Sequence, residues 1–280
     1  MLRALCPLDG RDLPFETNWR GIKYQGNLNN VIDYATFFYG AYAKSELALL
    51  ERIAHFLNSR GIRFTFLDVG TNVGTHALFM ARYSQRVVGF EPVEEVRLRA
   101  LNNVQLNQLD NVEILGCALG ERSGDAEIYC SESFNMACNS LVPEFVPDNS
   151  TTGRRINVKR GDELVSALNL HNIKVVKIDV EGFEAQVCEG LKNTLIRERP
   201  FILMELWKFN LRYFDKGLPF PNCIYPHSAA YELIGTNNGR YKLAPYDLRD
   251  HPGSGQAEIV IVPDELKSFL ADNSFCKYLP

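Results

Sequence analysis

The run Phe66-Leu67-Asp68-Val69-Gly70-Thr71-Asn72-Val73-Gly74-Thr75-His76 decides how this chain folds. An apolar stretch over 64–69 stops on a glycine, and helical spacing begins at Thr75 and continues to Ala81. A buried strand that breaks on glycine and re-enters as a helix is the first turn of an open α/β sheet. In such sheets ligands bind beyond the carboxyl ends of the strands. Gly70 allows a tight turn with no β-carbon in the way. Gly74 allows the helix to pack closely on the strand. The backbone N–H groups freed at the helix start can meet the carboxylate of a bound amino acid.

Working outward, the next apolar run, Arg86–Phe90, delivers Glu91 and Pro92 to the same edge. An acid about 20 positions after a glycine turn accepts hydrogen bonds from a ribose diol, and Glu91 lies 21 residues after Gly70. Pro92 stiffens the turn that aims it. Nicotinamide binders carry a glycine where their backbone approaches a pyrophosphate. Asn72 stands at that place here, so a nucleoside without a diphosphate, such as S-adenosylmethionine (SAM), is the better fit. Asp68 is then a partner, direct or through water, for the cofactor's ammonium group, and Thr71 belongs to the same binding loop. Small residues at the end of the third strand, Cys117 and Ala118, leave room for an adenine. Glu46, at the start of a helix, could reach the cofactor amine, with helix capping as the commoner role for such a residue.

Farther along, Lys177-Ile178-Asp179-Val180-Glu181-Gly182-Phe183-Glu184 follows another apolar strand, and Phe201–Glu205 ends a further one on an acid. Asp179, Glu181 and Glu205 are therefore expected at one sheet edge with Lys177 beside them. A carboxylate there could orient or deprotonate a hydroxyl that attacks a methyl group. Two or three acids could instead hold a hard cation such as Mg²⁺. Asp179 sits in an apolar strand, where an idle charge is costly. Glu184 reads equally well as a helix-start charge. His76 reads as a packed or capping residue, and Asn139, Ser140 and Leu141 as an inserted loop that could touch cofactor or acceptor.

These pieces alternate in type. Helical spacing covers Ser45–Ser59, Glu94–Asn107 and Glu184–Leu195, and strand-like runs cover Val112–Leu119, Lys174–Val180 and Ala257–Val262. Alternation of this kind implies parallel pairing in a doubly wound sheet. The chain has 280 residues, 46% of them hydrophobic and 23% charged, which suits one large globular domain. A formal charge of -4 offers no basic field for a phosphate backbone, so nucleic acid is not expected as a partner. The first residues lack the apolar core of a signal peptide, and no apolar run is long enough for a membrane span. Seven cysteines occur without a Cys-x-x-Cys pair, which suits reduced thiols in a cytoplasmic protein.

The glycine loop, Gly89-Phe90-Glu91-Pro92, the Asn103–Asn107 segment, Ala118-Leu119-Gly120, the Lys177–Glu184 run and Pro200–Glu205 together resemble the FkbM family of methyltransferases. The resemblance spans 42–206, and the Lys177–Glu184 run is its most specific part. Thr71 departs from the alanine usual there. The resemblance implies SAM as donor and O-methylation of a hydroxyl on a sugar or secondary metabolite. It implies Asp68, Gly70, Asn72, Gly74 and Glu91 around the cofactor, with Asp179 beside the transferred methyl. The expected fold is a Rossmann-like class I methyltransferase, with a mostly parallel seven-stranded sheet and helices on both faces. It would occupy 45–265, after an irregular segment 1–44 and before a tail 266–280. An insertion at 120–160 and a lid at 207–228 would lie near the site. The rival readings are a nicotinamide-dependent oxidoreductase, against which Asn72 and the missing Tyr-x-x-x-Lys dyad count, and a methyltransferase-like binding module without catalysis.

Overall fold

The computed structural model describes residues 12–131, 140–142, 151–214, 217–236, 239–251 and 255–272. The described part begins with a hairpin, β1 (Pro14–Trp19) and β2 (Ile22–Asn27), followed by α1 (Val31–Tyr39). This corrects the expectation of an irregular start. Arg20 and Gly21 both hold positive φ, at 52° and 80°, which gives the backbone twist a two-residue hairpin turn requires. Asn103 and Asn107 dock the free edge of β2. Asn103 accepts from the Gln25 N–H (2.8 Å) and donates to its carbonyl (3.0 Å), and Asn107 does the same for Lys23 at 2.9 and 2.7 Å. Asp33, fully buried, anchors α1 by accepting from the Tyr24 hydroxyl (2.6 Å), the Asn27 N–H (2.7 Å) and Arg99.

The central part follows as α2 (Lys44–Asn58), β3 (Thr65–Val69), α3 (Thr75–Met80), β4 (Arg86–Phe90), α4 (Glu94–Leu106) and β5 (Val112–Leu115). Next come β6 (Ala118–Gly120), β7 (Gly124–Ser131), β8 (Thr151–Arg160), α5 (Gly161–Ala167) and β9 (Ile173–Ile178). The chain ends with α6 (Glu184–Gly190), α7 (Lys192–Glu198), β10 (Phe201–Trp207), β11 (Ser228–Gly235), β12 (Tyr241–Pro245) and β13 (Gln256–Pro263). Ser45 does not cap α2, as its spacing suggested. It lies inside the first turn, where its hydroxyl contacts the Arg240 carbonyl at 3.4 Å.

The main sheet has eight strands in the order β12-β11-β13-β10-β9-β3-β4-β5. The run from β10 to β5 is parallel, and β13, β11 and β12 add antiparallel pairings. The sheet is thus mixed and eight-stranded rather than mostly parallel and seven-stranded. Alternate residues of its central strands enter opposite cores, as the period of two requires. Phe66, Val87, Val175 and Phe201 pack with Leu50, Ile53 and Ala77 on one face. Leu67, Val88, Val176 and Ile202 pack with Val165, Val187 and Leu195 on the other. Helices cover both faces, which is why these strands read as unbroken apolar runs.

The 120–160 insertion forms its own three-stranded sheet, in the order β6-β8-β7. The run 112–119 is therefore two strands, because after Leu115 the chain leaves the main sheet to pair with β8. The segment expected as a lid holds a 3-10 helix over Lys208–Tyr213 and, from residue 217 onward, bends and turns up to the start of β11. Another 3-10 helix, Asp264–Asp272, occupies the first part of the expected tail. No helix among the described residues is long and apolar enough to cross a membrane.

Candidate functional site

The carboxyl ends of β3, β4, β9 and β10 open onto a cavity with a volume of about 460 Å³, a size typical of small-molecule sites. The loop after β3 is fixed first. The Gly70 and Thr71 N–H groups both donate to the Phe90 carbonyl at 3.1 Å, and the Asp179 N–H donates to the Val69 carbonyl at 2.9 Å. Three strand ends are thereby tied together. A β-carbon on Gly70, whose φ is +86°, would lie 1.8 Å from the Asp179 carbonyl oxygen. That glycine is what lets the β9 loop close onto the β3 loop. Thr71 turns inward, and its hydroxyl donates to the Asp68 carbonyl at 2.8 Å.

Glu91 accepts from the Asn72 N–H at 3.0 Å through one oxygen and from the Val93 N–H at 2.9 Å through the other. Its carboxyl is aimed by backbone on both sides, and each oxygen keeps further acceptor capacity. Burial pushes Glu91 up to about 7, against the pull of those two backbone bonds.

Asp179, Glu181 and Glu205 offer carboxylate oxygens within 4.8 Å of one another. Lys177, almost wholly buried, donates to Asp179 at 2.7 Å. Burial alone would lower the Lys177 pKa, but Asp179, Glu46 and Asp68 outweigh it and hold the ammonium charged. Burial first, then Asp179, pushes Glu181 up to about 9 and Glu205 up to about 8. Glu205 is further held by the Trp207 indole N–H at 2.9 Å and by the Gln256 amide.

The loop that carries these acids is pinned from two directions. Glu184 is fully buried and accepts from the Gly182 N–H (3.1 Å) and the Asn210 amide (2.5 Å). It anchors the loop, whereas its helix-start position suggested only a favourably placed or capping charge. From the insertion, the buried Ser140 hydroxyl donates to the Glu181 carbonyl at 2.6 Å and accepts from the Val142 N–H. Glu181 itself holds a left-handed φ of 52°.

Of the residues singled out in the sequence, Glu46, Gly70, Thr71, Asn72, Glu91 and Pro92 line the cavity. So do Ala118, Asp179, Glu181 and Glu205. Three of the expected cofactor-binding residues do not. Asp68 is buried behind the loop, where burial raises its pKa and Lys177 and His76 partly offset the rise. Both of its carboxylate oxygens are buried without a hydrogen-bond partner, beside the cavity-lining Lys177 and His76. Gly74 faces α4, where an added β-carbon would sit 3.0 Å from the Ala100 side chain, so its close packing is helix to helix. Cys117 is buried in the core under β4 and β9 rather than beside the cavity. Asn139 lies outside the described residues. His76 lines the cavity with its Nε2 3.2 Å from Glu46, which gives both residues a place in the site.

Sequence reasoning missed Tyr42, Gln256 and Glu258, all in the cavity wall. Glu258 pairs with Glu205 across the β10–β13 ladder, and burial with Glu46 and Glu205 nearby raises its pKa well above the usual range. An acid within the apolar run 257–262 was the available signal, the same one that marked Asp179.

Four of these carboxyls, Glu91, Glu184, Glu205 and Glu181, titrate in the folded protein at about 7, 7, 8 and 9 against 4.5 as the reference value. The folded state binds more protons over that window, so their contribution to stability is complete below about pH 4.5 and declines as pH rises toward 9. Asp247, with a pKa lowered by Arg249, titrates below the window. The melting temperature of the ligand-free protein is expected to fall steadily between about pH 5 and pH 9. A flat or rising profile over that range would contradict the burial of these acids.

A family model described as the methyltransferase FkbM domain matches residues 68–243. The chain is 32% identical over 139 residues to the hexuronic acid methyltransferase AglP of Haloferax volcanii, covering 50% of this chain and 54% of that protein. It is 28% identical over 142 residues to methyltransferase 1 of Beauveria bassiana, covering 45% and 57%. The chain thus spans little more than half the length of these curated relatives. A crystal structure of an FkbM methyltransferase from Methylobacillus flagellatus aligns with a TM-score of 0.44 at 18% identity, covering 72% of this chain and 45% of that one.

Proposed function

The chain belongs to the FkbM family of methyltransferases, and from that premise we propose that it transfers a methyl group from SAM to a hydroxyl of a small acceptor of the sugar or secondary-metabolite class. The observation that carries the reading is one cavity shared by a backbone-aimed Glu91 and a lysine-paired Asp179. Glu91 accepts the ribose hydroxyls, the loop from Gly70 to Asn72 passes along the methionine part, and Ala118 leaves space beside the adenine. Glu46 and His76 lie within reach of the amino-acid end. The name of the haloarchaeal relative supports an acceptor of the sugar type.

The donor is activated by its own sulfonium charge, so the protein's task is proximity and alignment. The acceptor oxygen attacks the methyl carbon as the sulfur leaves, and Asp179 takes the hydroxyl proton. Lys177 balances the charge at Asp179, while Glu181 and Glu205, protonated near neutral pH, hydrogen-bond the acceptor. A divalent cation on this triad would share Asp179 with the Lys177 ammonium and would have to release the protons held by Glu181 and Glu205, so the reading runs on protons instead. Labelled SAM incubated with neutral sugar and polyketide acceptors is expected to yield an O-methyl product. Dialysis against a chelator is expected to leave that rate unchanged within about twofold. Activity lost on chelation and restored by Mg²⁺ would assign the triad to a cation.

A further inference from the structure

We propose that Ser140 is a positioning residue for the cofactor: its hydroxyl latches the insertion to the loop after β9 and thereby holds Leu141 as a wall of the adenine pocket. This rests on the SAM-dependent reading above and adds to it what closes the adenine end. Beside its charged groups, the cavity has an apolar wall of Ile32, Ala118, Ile128 and Leu141. These four side chains pack in one cluster with Val73 of the glycine loop and Val93, the residue whose N–H aims Glu91. The apolar wall is thus continuous with the turn that presents Glu91 to the ribose, which is where a flat base would lie. A base covered by aliphatic side chains is removed from water and gains dispersion contacts. Ile32, Ala118 and Ile128 are held by α1, β6 and β7. Leu141 lies in a bend outside any helix or strand, so its place depends on its neighbours.

Ser140 supplies that hold. It is fully buried, and its backbone bridges to Tyr129 of β7 through bonds of 2.8 and 3.1 Å. Its hydroxyl donates to the Glu181 carbonyl at 2.6 Å and accepts from the Val142 N–H at 2.9 Å. Leu141 is therefore bracketed on both sides by one hydroxyl, which ties it to a loop 41 positions away in sequence. That loop needs outside support. Glu181 holds a φ of 52°, which a residue with a β-carbon keeps only where its surroundings over-determine it. Glu184 supports the loop from within, accepting from the Val180 and Gly182 N–H groups at 3.3 and 3.1 Å. The Ser140 hydroxyl adds a bond from the insertion. Removing it takes a partner from the Glu181 carbonyl and from the Val142 N–H together, and leaves Leu141 tied to β7 alone.

The test uses the full chain, SAM as the probe and calorimetry as the readout, with folding checked by circular dichroism. Ser140→Ala removes the hydroxyl, and Ser140→Cys keeps a side chain of similar size that donates only weakly. Each is expected to weaken SAM binding by about five- to tenfold. Leu141→Ala, which leaves the latch in place, is expected to weaken it by a similar factor. Because Ser140 acts through Leu141, adding Ser140→Ala to Leu141→Ala should weaken binding by no more than about twofold further. A folded Ser140 variant that melts lower yet binds SAM as the wild type does would make the hydroxyl merely structural and overturn the inference. Losses that multiply in the double variant would overturn it as well. So would wild-type SAM affinity in Leu141→Ala, a result that stands even if the Ser140 variants fail to fold. Failure of the wild-type chain to bind SAM would instead overturn the methyl-transfer reading.

Discussion

Asp179→Asn is expected to lower kcat by about 10²–10⁴-fold, with the dissociation constant for SAM unchanged within about twofold. The substitution keeps the shape of the side chain and removes its ability to take a proton. The backbone of residue 179 holds the site together through its bond to Val69 and its contact with Gly70, and both survive the change. Among the cavity acids, Asp179 combines partial exposure, at 38% for its side chain, with a direct bond to a buried ammonium. Glu205 and Glu181 lack that pairing and hold protons instead. Single-turnover transfer of a labelled methyl group, alongside SAM calorimetry, separates the two effects. A variant with wild-type turnover would remove Asp179 from the chemistry.

Gly70→Ala should be the most damaging one-carbon change at the site. The new methyl would lie 1.8 Å from a backbone oxygen and 2.8 Å from its carbon, on a residue at φ +86°. Neither neighbour is the end of a flexible side chain. The β9 loop would have to move away from β3, and Asp179 and Glu181 would move with it. A loss of roughly 2–4 kcal/mol in unfolding free energy is expected, together with weakened SAM binding. Gly61→Ala is the matched control, since that glycine also holds positive φ but has nothing within 4 Å of the added carbon. It should cost only about 1 kcal/mol. Urea unfolding of the two variants checks the contrast, and equal losses would show that close approach is not the reason for Gly70.

The central strands were legible because both faces of the sheet are covered, so Phe66–Val69, Arg86–Phe90 and Phe201–Leu206 appear as apolar runs that end where the chemistry starts. Glu91 and Asp179 were legible for a related reason: an acid at the end of such a run has to serve a purpose. The hairpin β1–β2 was not legible, because its turn uses Arg20-Gly21 in place of the usual Asn-Gly. Its edge is also satisfied by asparagines about 80 positions away in sequence. Non-local pairing hid Glu258 as well, since only the register of β13 against β10 sets it opposite Glu205. Asp68 reads from the sequence as a direct or water-mediated partner for a cofactor ammonium group, and its sequence position alone does not show how deeply it is buried. The strand's alternation turns it into the interior beside Lys177 and His76. Cys117 was placed by its small size, yet the chain there is passing from one sheet to another and the side chain falls into the core.

The most direct test of the account is a calorimetric titration of SAM and of NAD into the protein near pH 8, where Glu91 is ionised, repeated on Glu91→Gln. The account predicts saturable one-to-one binding of SAM, no binding of NAD, and an affinity for SAM at least about tenfold weaker in the variant. Binding of NAD without SAM, or a SAM affinity indifferent to the loss of Glu91, would contradict it.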